Sequence, residues 1–297
     1  MVRRRYEASG KMEDGALFRL ALMALLVGAV AGTVEGLIAA WFDLLILFPM
    51  IIGLAAGFAA SKVIVSSKVR APALAGLMAA LGGLAGQAVK QEIHYQRFLR
   101  SPAVAEFRQG NGPGVDEMLR ALTGKTGRAG YLALRAQEGT TLRRHGSSGP
   151  TLRGTGFWIL FGAEFLLSAG MAFGVAWAGA SAPFCERCKK WYGPDTPLAS
   201  GAGDQQSVKA SIVALEASDW KRFAASLGAP DTKAASAILV AACPGCTDND
   251  RRLTVRMIRR PGHRKEKAEA RFVSMIRPDE LRGLEAALAE RKQPPPT

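Results

Sequence analysis

The stretch from Gly156 to Tyr192 constrains the fold more than any other. Residues 156–180 are an apolar run broken by a single charge, Glu164. A helix needs about 20 such residues to cross the hydrocarbon core of a bilayer. Five residues later the chain reads Cys185-Glu-Arg-Cys188-Lys-Lys-Trp-Tyr192. A C-x-x-C of this kind is a metal knuckle or a redox pair. A candidate membrane span is thus joined directly to thiol chemistry.

Three more apolar runs precede it. Residues 1–16 form a basic head, and the first run follows over 17–40. A basic head before an apolar run also describes a secretory signal. This run is too long for a typical signal core, and no small-x-small cleavage site follows it. We read it as a retained first span, with Trp41 at the far interface. Phe42-Asp43 separates it from a second run over 44–61, in which Pro49 sits early, where a missing N–H is tolerated. Lys62, Lys68 and Arg70 make a basic turn, and a third run covers 72–89. Residues 17–90 thus form a domain of three spans, and 156–180 is the fourth.

The net charge of +14 is carried mostly outside these runs. Two partners suit it: anionic lipid heads and nucleic acid. In a polytopic membrane protein the lipid surface is the simpler reading. Arg3, Arg4, Arg5 and Lys11 precede the first span, and the turn after it has no Lys or Arg. The positive-inside rule therefore places the N-terminus in the cytoplasm. The soluble insert 91–155 then lies outside, and the fourth span returns the C-terminus to the cytoplasm. Residues 90–155 hold eleven Lys or Arg against five acids, but loops of that length largely escape the rule.

Glycines recur every fourth residue in each run: Gly28, Gly32 and Gly36; Gly53 and Gly57; Gly82 and Gly86; Gly170 and Gly174. That spacing lets helix backbones approach closely in lipid. It predicts a tight four-helix bundle. The same faces are candidates for a homo-oligomer seam or a pore. Within the insert, 115–122 and 128–137 have helical spacing, and Thr140-Thr-Leu-Arg-Arg and Pro150-Thr-Leu-Arg flank a hairpin turn containing His145. His94 and His145 are read as solvated loop histidines.

Residues 182–290 read as a C-terminal α+β domain, with 291–297 as a disordered tail. A Gly/Ser loop after Pro197 leads to three expected helices, over 206–217, 218–227 and 232–241. Ser218 is the candidate N-cap and Gly228 the stop. Leu253, Val255 and Met257 alternate with polar neighbours, as in a half-buried strand. Residues 271–276 read as a second strand, and Pro278-Asp-Glu opens a last helix.

Three constellations could carry chemistry. The first is Cys185, Cys188, Cys243 and Cys246, two C-x-x-C pairs with no cysteine left over. Four thiolates satisfy tetrahedral Zn²⁺, and paired thiols without disulfides suit a reducing compartment. Fifty-four residues separate Cys188 from Cys243, against about 15–20 in a compact ribbon. An inserted helical subdomain accounts for the gap, because loop-closure cost grows slowly with length. The reading is a zinc-ribbon-like domain holding one structural Zn²⁺.

The second constellation is intramembrane: Glu35 in the first span, Glu164 in the fourth, and Lys90 at the end of the third. Counting at about 1.5 Å per residue sets both carboxylates at similar depth below one surface. Ionisable groups at that depth are costly and face the bundle interior. They form either a proton or cation site, or a Lys-paired cluster that fixes helix register. The third is a basic strand region with Arg252, Arg256, Arg259 and Arg260, a candidate contact for anionic lipid or nucleic acid. No aromatic residues are interleaved for base stacking, which disfavours nucleic acid.

Cys243-Pro-Gly-Cys246 resembles the dithiol turn of thioredoxin-like oxidoreductases, with its middle residues reversed. A four-span bundle with cysteine pairs also resembles the vitamin K epoxide reductase family, whose C-x-x-C lies at the membrane near a quinone. Here both pairs lie outside the spans, and Cys246 leads into a turn and strand rather than a helix. The segments Ala182–Tyr192, Gly130–Ala136 and Thr155–Ile159 together resemble a group of uncharacterised bacterial four-span membrane proteins with a paired C-x-x-C tail. That resemblance implies the architecture and no activity.

The fold class expected is mainly α: a four-helix transmembrane bundle, a small α+β insert, and a C-terminal α+β zinc-ribbon-like domain. No Ser/His/Asp set, phosphate loop or H-E-x-x-H motif is present in the sequence. The function expected is a non-catalytic adaptor, sensor or scaffold in a bacterial inner membrane, with both termini cytoplasmic and a cytoplasmic protein as partner. Two alternatives remain open. One is a membrane thiol–disulfide oxidoreductase using the C-x-x-C pairs. The other is a small proton-coupled transporter using Glu35 and Glu164.

Overall fold

The computed structural model describes residues 6–39, 47–102, 104–105, 114–144, 147–202, 204–228, 234–246, 250–259 and 267–292. Arg3 to Arg5, Trp41, the Phe42-Asp43 turn, His145, the turn after Cys246, Arg260 and the last five residues lie outside them. The chain forms two compact units, one of residues 10–181 and one combining 1–9 with 182–297.

The first unit is built on four helices long and apolar enough to cross a membrane: α1 (Ala16–Ile38), α2 (Leu47–Ser66), α3 (Pro72–Leu99) and α6 (Thr155–Ala180). Their outward side chains are large and apolar. Phe18, Val30, Ile159 and Leu166 are each more than 60% exposed. Contiguous apolar surface of this kind is rare on a water-soluble monomer and marks contact with lipid or protein.

The inward side is made of small residues. A Cβ on Gly28 would run into the Gly82 carbonyl, and one on Gly32 into the Gly86 carbonyl. Helices α1 and α3 therefore run parallel in backbone contact. Gly53 meets Ser168, and Gly57 meets Ala172 and Val175, so α2 and α6 run parallel in the same manner. The Ser168 hydroxyl donates to the Gly83 carbonyl at 3.1 Å and ties α6 to α3. Only weak dispersion separates helix–helix from helix–lipid contact in a membrane, so such close approach is what holds the helices together. Gly170 and Gly174 instead face open space.

Helix α3 differs from its expected span by running ten residues beyond 89, to Leu99. At 28 residues it is about 42 Å long, more than a bilayer core requires. The extension is polar, and the insert is seated on it. Helices α4 (Val115–Thr123) and α5 (Gly127–Glu138) pack together through Leu119 and Gly130. Tyr131 of α5 packs its ring on Tyr95 and Phe98 of α3, at 5.6 and 5.0 Å. Arg128 pairs with Glu92 at 2.6 Å. A hairpin of β1 (Thr140–Arg144) and β2 (Ser147–Leu152) leads into α6. Arg97, near the end of α3, donates to the carbonyls of Gly36 and Leu37 at 2.6 and 2.9 Å. It thereby satisfies two acceptors that the C-terminus of α1 leaves open.

From residue 182 the second unit opens with a short hairpin of two-residue strands, β3 (Phe184–Cys185) and β4 (Lys190–Trp191). It continues into a four-stranded antiparallel sheet in the order β5-β6-β7-β8: β5 (Thr196–Ala202), β6 (Ala234–Ala241), β7 (Arg251–Arg259) and β8 (Lys267–Ile276). Helices α7 (Gln205–Glu216) and α8 (Trp220–Ser226) connect β5 to β6, and α9 (Pro278–Lys292) follows β8. One core joins the helices to one sheet face. It contains Leu215, Phe223 and Leu227 from the α7–α8 segment, Ile238, Leu253, Val255, Phe272 and Ile276 from the strands, and Leu284 from α9.

Three expectations for this unit are corrected. Residues 234–241 form the strand β6 and not a helix. Their alanines favour a helix in isolation, but Ser236, Ile238 and Val240 alternate inward, and β5 and β7 pair on either side. Sheet context overrides propensity here. The expected Gly/Ser loop contains β5, an edge strand whose register shifts between Pro197 and Ala199. Proline is tolerated at such an edge. The N-cap of α8 is Asp219, accepting from the Arg222 N–H at 3.0 Å. Ser218 instead takes a left-handed conformation, φ +56°.

Candidate metal centre and buried charge cluster

Two hairpin turns create the sulfur cluster. Cys185 ends β3 and Cys188 lies in the turn before β4. Cys243 and Cys246 lie in the connection from β6 to β7, which are paired from Ala241↔Arg252 onward. The 54-residue gap holds β4, β5, α7, α8 and β6, so strands accompany two helices where an inserted helical subdomain was expected.

All four Sγ atoms lie within 4.8 Å of one another, and Cys185 and Cys246 are 3.7 Å apart. No two are joined as a disulfide. Tetrahedral ligation at a Zn–S distance of about 2.3 Å sets sulfurs about 3.8 Å apart, so the set has the dimensions of a metal site. Backbone N–H groups point at the sulfurs. Cys188 N–H donates to Cys185 Sγ at 3.3 Å, and Gly245 N–H to Cys243 Sγ at 3.4 Å. Such donors stabilise thiolates. Lys189 takes φ +54° at the close of the first turn, a conformation glycine usually supplies.

The thiols are electrostatically unequal. Burial raises the Cys243 pKa, but the Gly245 N–H and the Cys185, Cys246 and Cys188 thiols outweigh it and bring the group to about 7. Hydrogen bonding with Cys188, followed by burial, pushes Cys246 up to about 12. Packed thiols resist losing all their protons together. A divalent cation reverses that, because a coordinating thiol is deprotonated outright. Tyr192, whose hydroxyl donates to the Asp250 carbonyl at 2.6 Å, is pushed up to about 12, chiefly by burial.

The N-terminal segment belongs to this unit. Phe184 N–H donates to the Tyr6 hydroxyl at 3.2 Å, and the Ser9 hydroxyl donates to Glu186 Oε1 at 2.7 Å. Both contacts fall on the first cysteine turn or beside it. Nothing in the spacing or composition of residues 1–16 singles out Tyr6 or Ser9.

The structure also brings Glu35, Lys90 and Glu164 together. Lys90 Nζ lies 2.6 Å from Glu35 Oε1 and 3.2 Å from Glu164 Oε2, with the three side chains 3%, 4% and 12% exposed in the order Lys90, Glu35, Glu164. Three helices supply one residue each. Gln87, one turn earlier on α3, is fully buried, and neither end of its amide is hydrogen-bonded among the described residues. A pocket adjoins the cluster, walled by Lys90, His94, Arg135, Phe157, Phe161 and Glu164 among others. His94 therefore lies in a pocket rather than a solvated loop.

The basic strand region looks different in three dimensions. Arg252 and Arg256 lie on one face of β7 and share a single carboxylate, Asp195, at 2.7 and 2.9 Å. Their charge is thus partly neutralised before any lipid or nucleic acid is considered. Arg259 ends β7, and Arg260 lies outside the described residues.

No family model, curated protein or solved structure matches this chain.

Proposed function

We propose that this chain is an integral membrane protein whose C-terminal unit is a zinc-ribbon-like docking module held together by one structural Zn²⁺. The observation that carries the reading is the convergence of Cys185, Cys188, Cys243 and Cys246, from two hairpin turns, to within 4.8 Å. All four positions are thiols, and among the described residues no histidine or acid belongs to the set. Four sulfur ligands close a zinc coordination sphere and leave no position for water or substrate, which is the pattern of a structural rather than a catalytic site. Bound zinc would add its binding free energy to folding.

The role proposed is non-catalytic. The bundle anchors the module at the bacterial inner membrane, and the module presents a surface to a cytoplasmic protein. The orientation rests on the positive-inside rule. The two basic flanks also meet in space: Gly10 N–H donates to the Arg70 carbonyl and Arg70 N–H to the Lys11 carbonyl, each at 2.9 Å. Homo-oligomerisation, if it uses glycine faces, falls to Gly170 and Gly174, because Gly28, Gly32, Gly53, Gly57, Gly82 and Gly86 pack inside the bundle.

The test is zinc content and thiol reactivity on the detergent-purified full chain. One zinc per chain is expected, with thiols that react only after chelation. Absence of zinc, with thiols that oxidise pairwise at a biological potential, would overturn the reading in favour of thiol–disulfide exchange.

A further inference from the structure

The pocket at the end of the bundle is walled by residues of α3, α5 and α6, where the insert is seated on the spans. We propose that it binds the phosphate head group of a membrane phospholipid, with Arg135 as the anchoring cation. This inference rests on the membrane reading of the bundle and is independent of the cysteine site.

The cation comes first. Arg135 of α5 lines the pocket and donates from Nη1 to the Tyr131 hydroxyl at 3.2 Å. Among the described residues that neutral hydroxyl is its hydrogen-bond partner, and it pairs with no acid. A guanidinium offers a planar fork of donors that matches two oxygens of a phosphate. The other ammonium on the wall, Lys90, is already engaged, 2.6 Å from Glu35 and 3.2 Å from Glu164. Glu164 also lines the pocket, and Lys90 beside it offsets its repulsion of an incoming anion. Gln91 and Thr140 add neutral side chains able to donate to phosphate oxygens.

Depth is the second observation. Trp158 and Trp177 of α6 are each 43% exposed. They stand 19 positions apart, about 28 Å along a helix. That is close to the ~30 Å of a bilayer's hydrocarbon core, and exposed tryptophans favour its two interfaces. The apolar part of the pocket wall, Phe157, Leu160 and Phe161, lies at the Trp158 end of α6. The pocket is therefore at the level of lipid head groups.

The apolar wall is the third. The Trp158 ring packs edge-on against Phe157 and Phe161, at 5.4 and 5.8 Å. Apolar surface thus runs without a break from the pocket to the outward side of α6, where Ile159 and Leu166 are exposed. A soluble phosphate ester would leave that surface bare. A phospholipid covers it: the head group enters beside Arg135, and the acyl chains stay in the bilayer against α6.

The experiment uses the full chain in detergent. It is titrated with phosphatidylglycerol, and separately with diacylglycerol of the same acyl chains, and bound lipid is read by native mass spectrometry. One phosphatidylglycerol per chain is expected to bind saturably. Diacylglycerol, which lacks the phosphate, should bind about tenfold more weakly or worse, the scale of one lost charged hydrogen bond. Arg135→Gln should weaken phosphatidylglycerol by a similar factor, and Arg135→Lys, which keeps the charge without the fork, should recover part of it. Equal affinity of wild type and Arg135→Gln would overturn the proposal, and so would equal binding of the two lipids. Displacement of the lipid by inorganic phosphate would overturn the lipid source. The two-lipid comparison uses the wild-type chain, so it decides the matter even where Arg135→Gln does not fold. A chain that stays monodisperse without detergent would remove the membrane reading itself, whereas a detergent-dependent chain that fails the lipid tests removes only the pocket assignment.

Discussion

Gly32 of α1 and Gly86 of α3 touch backbone to backbone, so closely that a single methyl group on Gly32 would overlap the Gly86 carbonyl. The pair sits one turn from the Glu35–Lys90 level, so helix approach and ion pairing are set by one contact.

Replacing Gly32 by valine should separate α1 from α3. The expected loss is roughly 3 kcal/mol, at the upper end for overpacking a filled interior. Gly170→Ala, which meets nothing within 4 Å, should leave stability unchanged. Thermal unfolding of both variants in the same detergent gives the comparison. Equal midpoints would mean that the glycine contact does not hold the bundle.

Lys90→Met should be among the most destabilising single changes in the bundle. It leaves Glu35 and Glu164 facing each other without the ammonium that now lies 2.6 and 3.2 Å away. Breaking a buried pair in this way costs roughly 3–5 kcal/mol. The triple variant Glu35→Gln/Lys90→Met/Glu164→Gln should recover most of the loss, since no charge is left uncompensated. Denaturation of the single and triple variants reads the difference directly.

Asp204 caps α7, accepting from the Gln206 and Ser207 N–H groups at 3.0 and 2.9 Å. Its carboxyl is held below the usual range, first by the Ser207 side chain and then by the backbone donors. A folded-state pKa that is depressed stabilises the fold above the unfolded value and loses that contribution as pH falls through the folded one. Asp204→Ala should therefore destabilise the C-terminal unit at neutral pH. The gap between wild type and variant should close as pH drops below about 4. Protease sensitivity of α7 in the full chain, measured at several pH values, reports it.

Asp195→Ala should loosen the β5 side of the sheet from β7. Both arginines it holds are partly exposed, at 28% and 43%. Solvent screening therefore keeps the loss to roughly 1 kcal/mol. The same change should raise the salt-sensitive affinity of the protein for anionic vesicles by freeing Arg252 and Arg256. Flotation with anionic and zwitterionic vesicles at two ionic strengths tests that outcome.

Lys189→Gly should be tolerated or mildly stabilising. Its left-handed φ of +54° costs a lysine more than a glycine. Slower loss of metal to a chelator in this variant would show that the strain acts against the cysteine turn.

The apolar runs could be read from the sequence because bilayer thickness fixes the length of a spanning helix. The cysteine set was legible because two-residue spacing points both sulfurs of a pair the same way. Counting residues from span ends led to Glu35, Lys90 and Glu164, since depth on a helix is linear in sequence. Other features had no such ruler. Residues 234–241 are alanine-rich, and only the neighbouring strands β5 and β7 make them β6. Gln87 looks like an ordinary polar residue near a helix end until the extra turns of α3 place it inside. Arg97 caps a helix 60 residues away in sequence, and Asp195 pairs with arginines two strands over. Contacts between residues that distant leave no local signal in composition or periodicity.

Tyr6 and Ser9 bind residues that follow the last membrane-length helix. A ribosome will have made most of the protein before these partners exist. Tyr6 and Ser9 must therefore wait while the four long apolar helices are made, and only afterwards settle beside the first cysteine turn. A bulky group joined directly ahead of Tyr6 would be held beside the first cysteine turn, so reporter position is a variable in any assay of this protein.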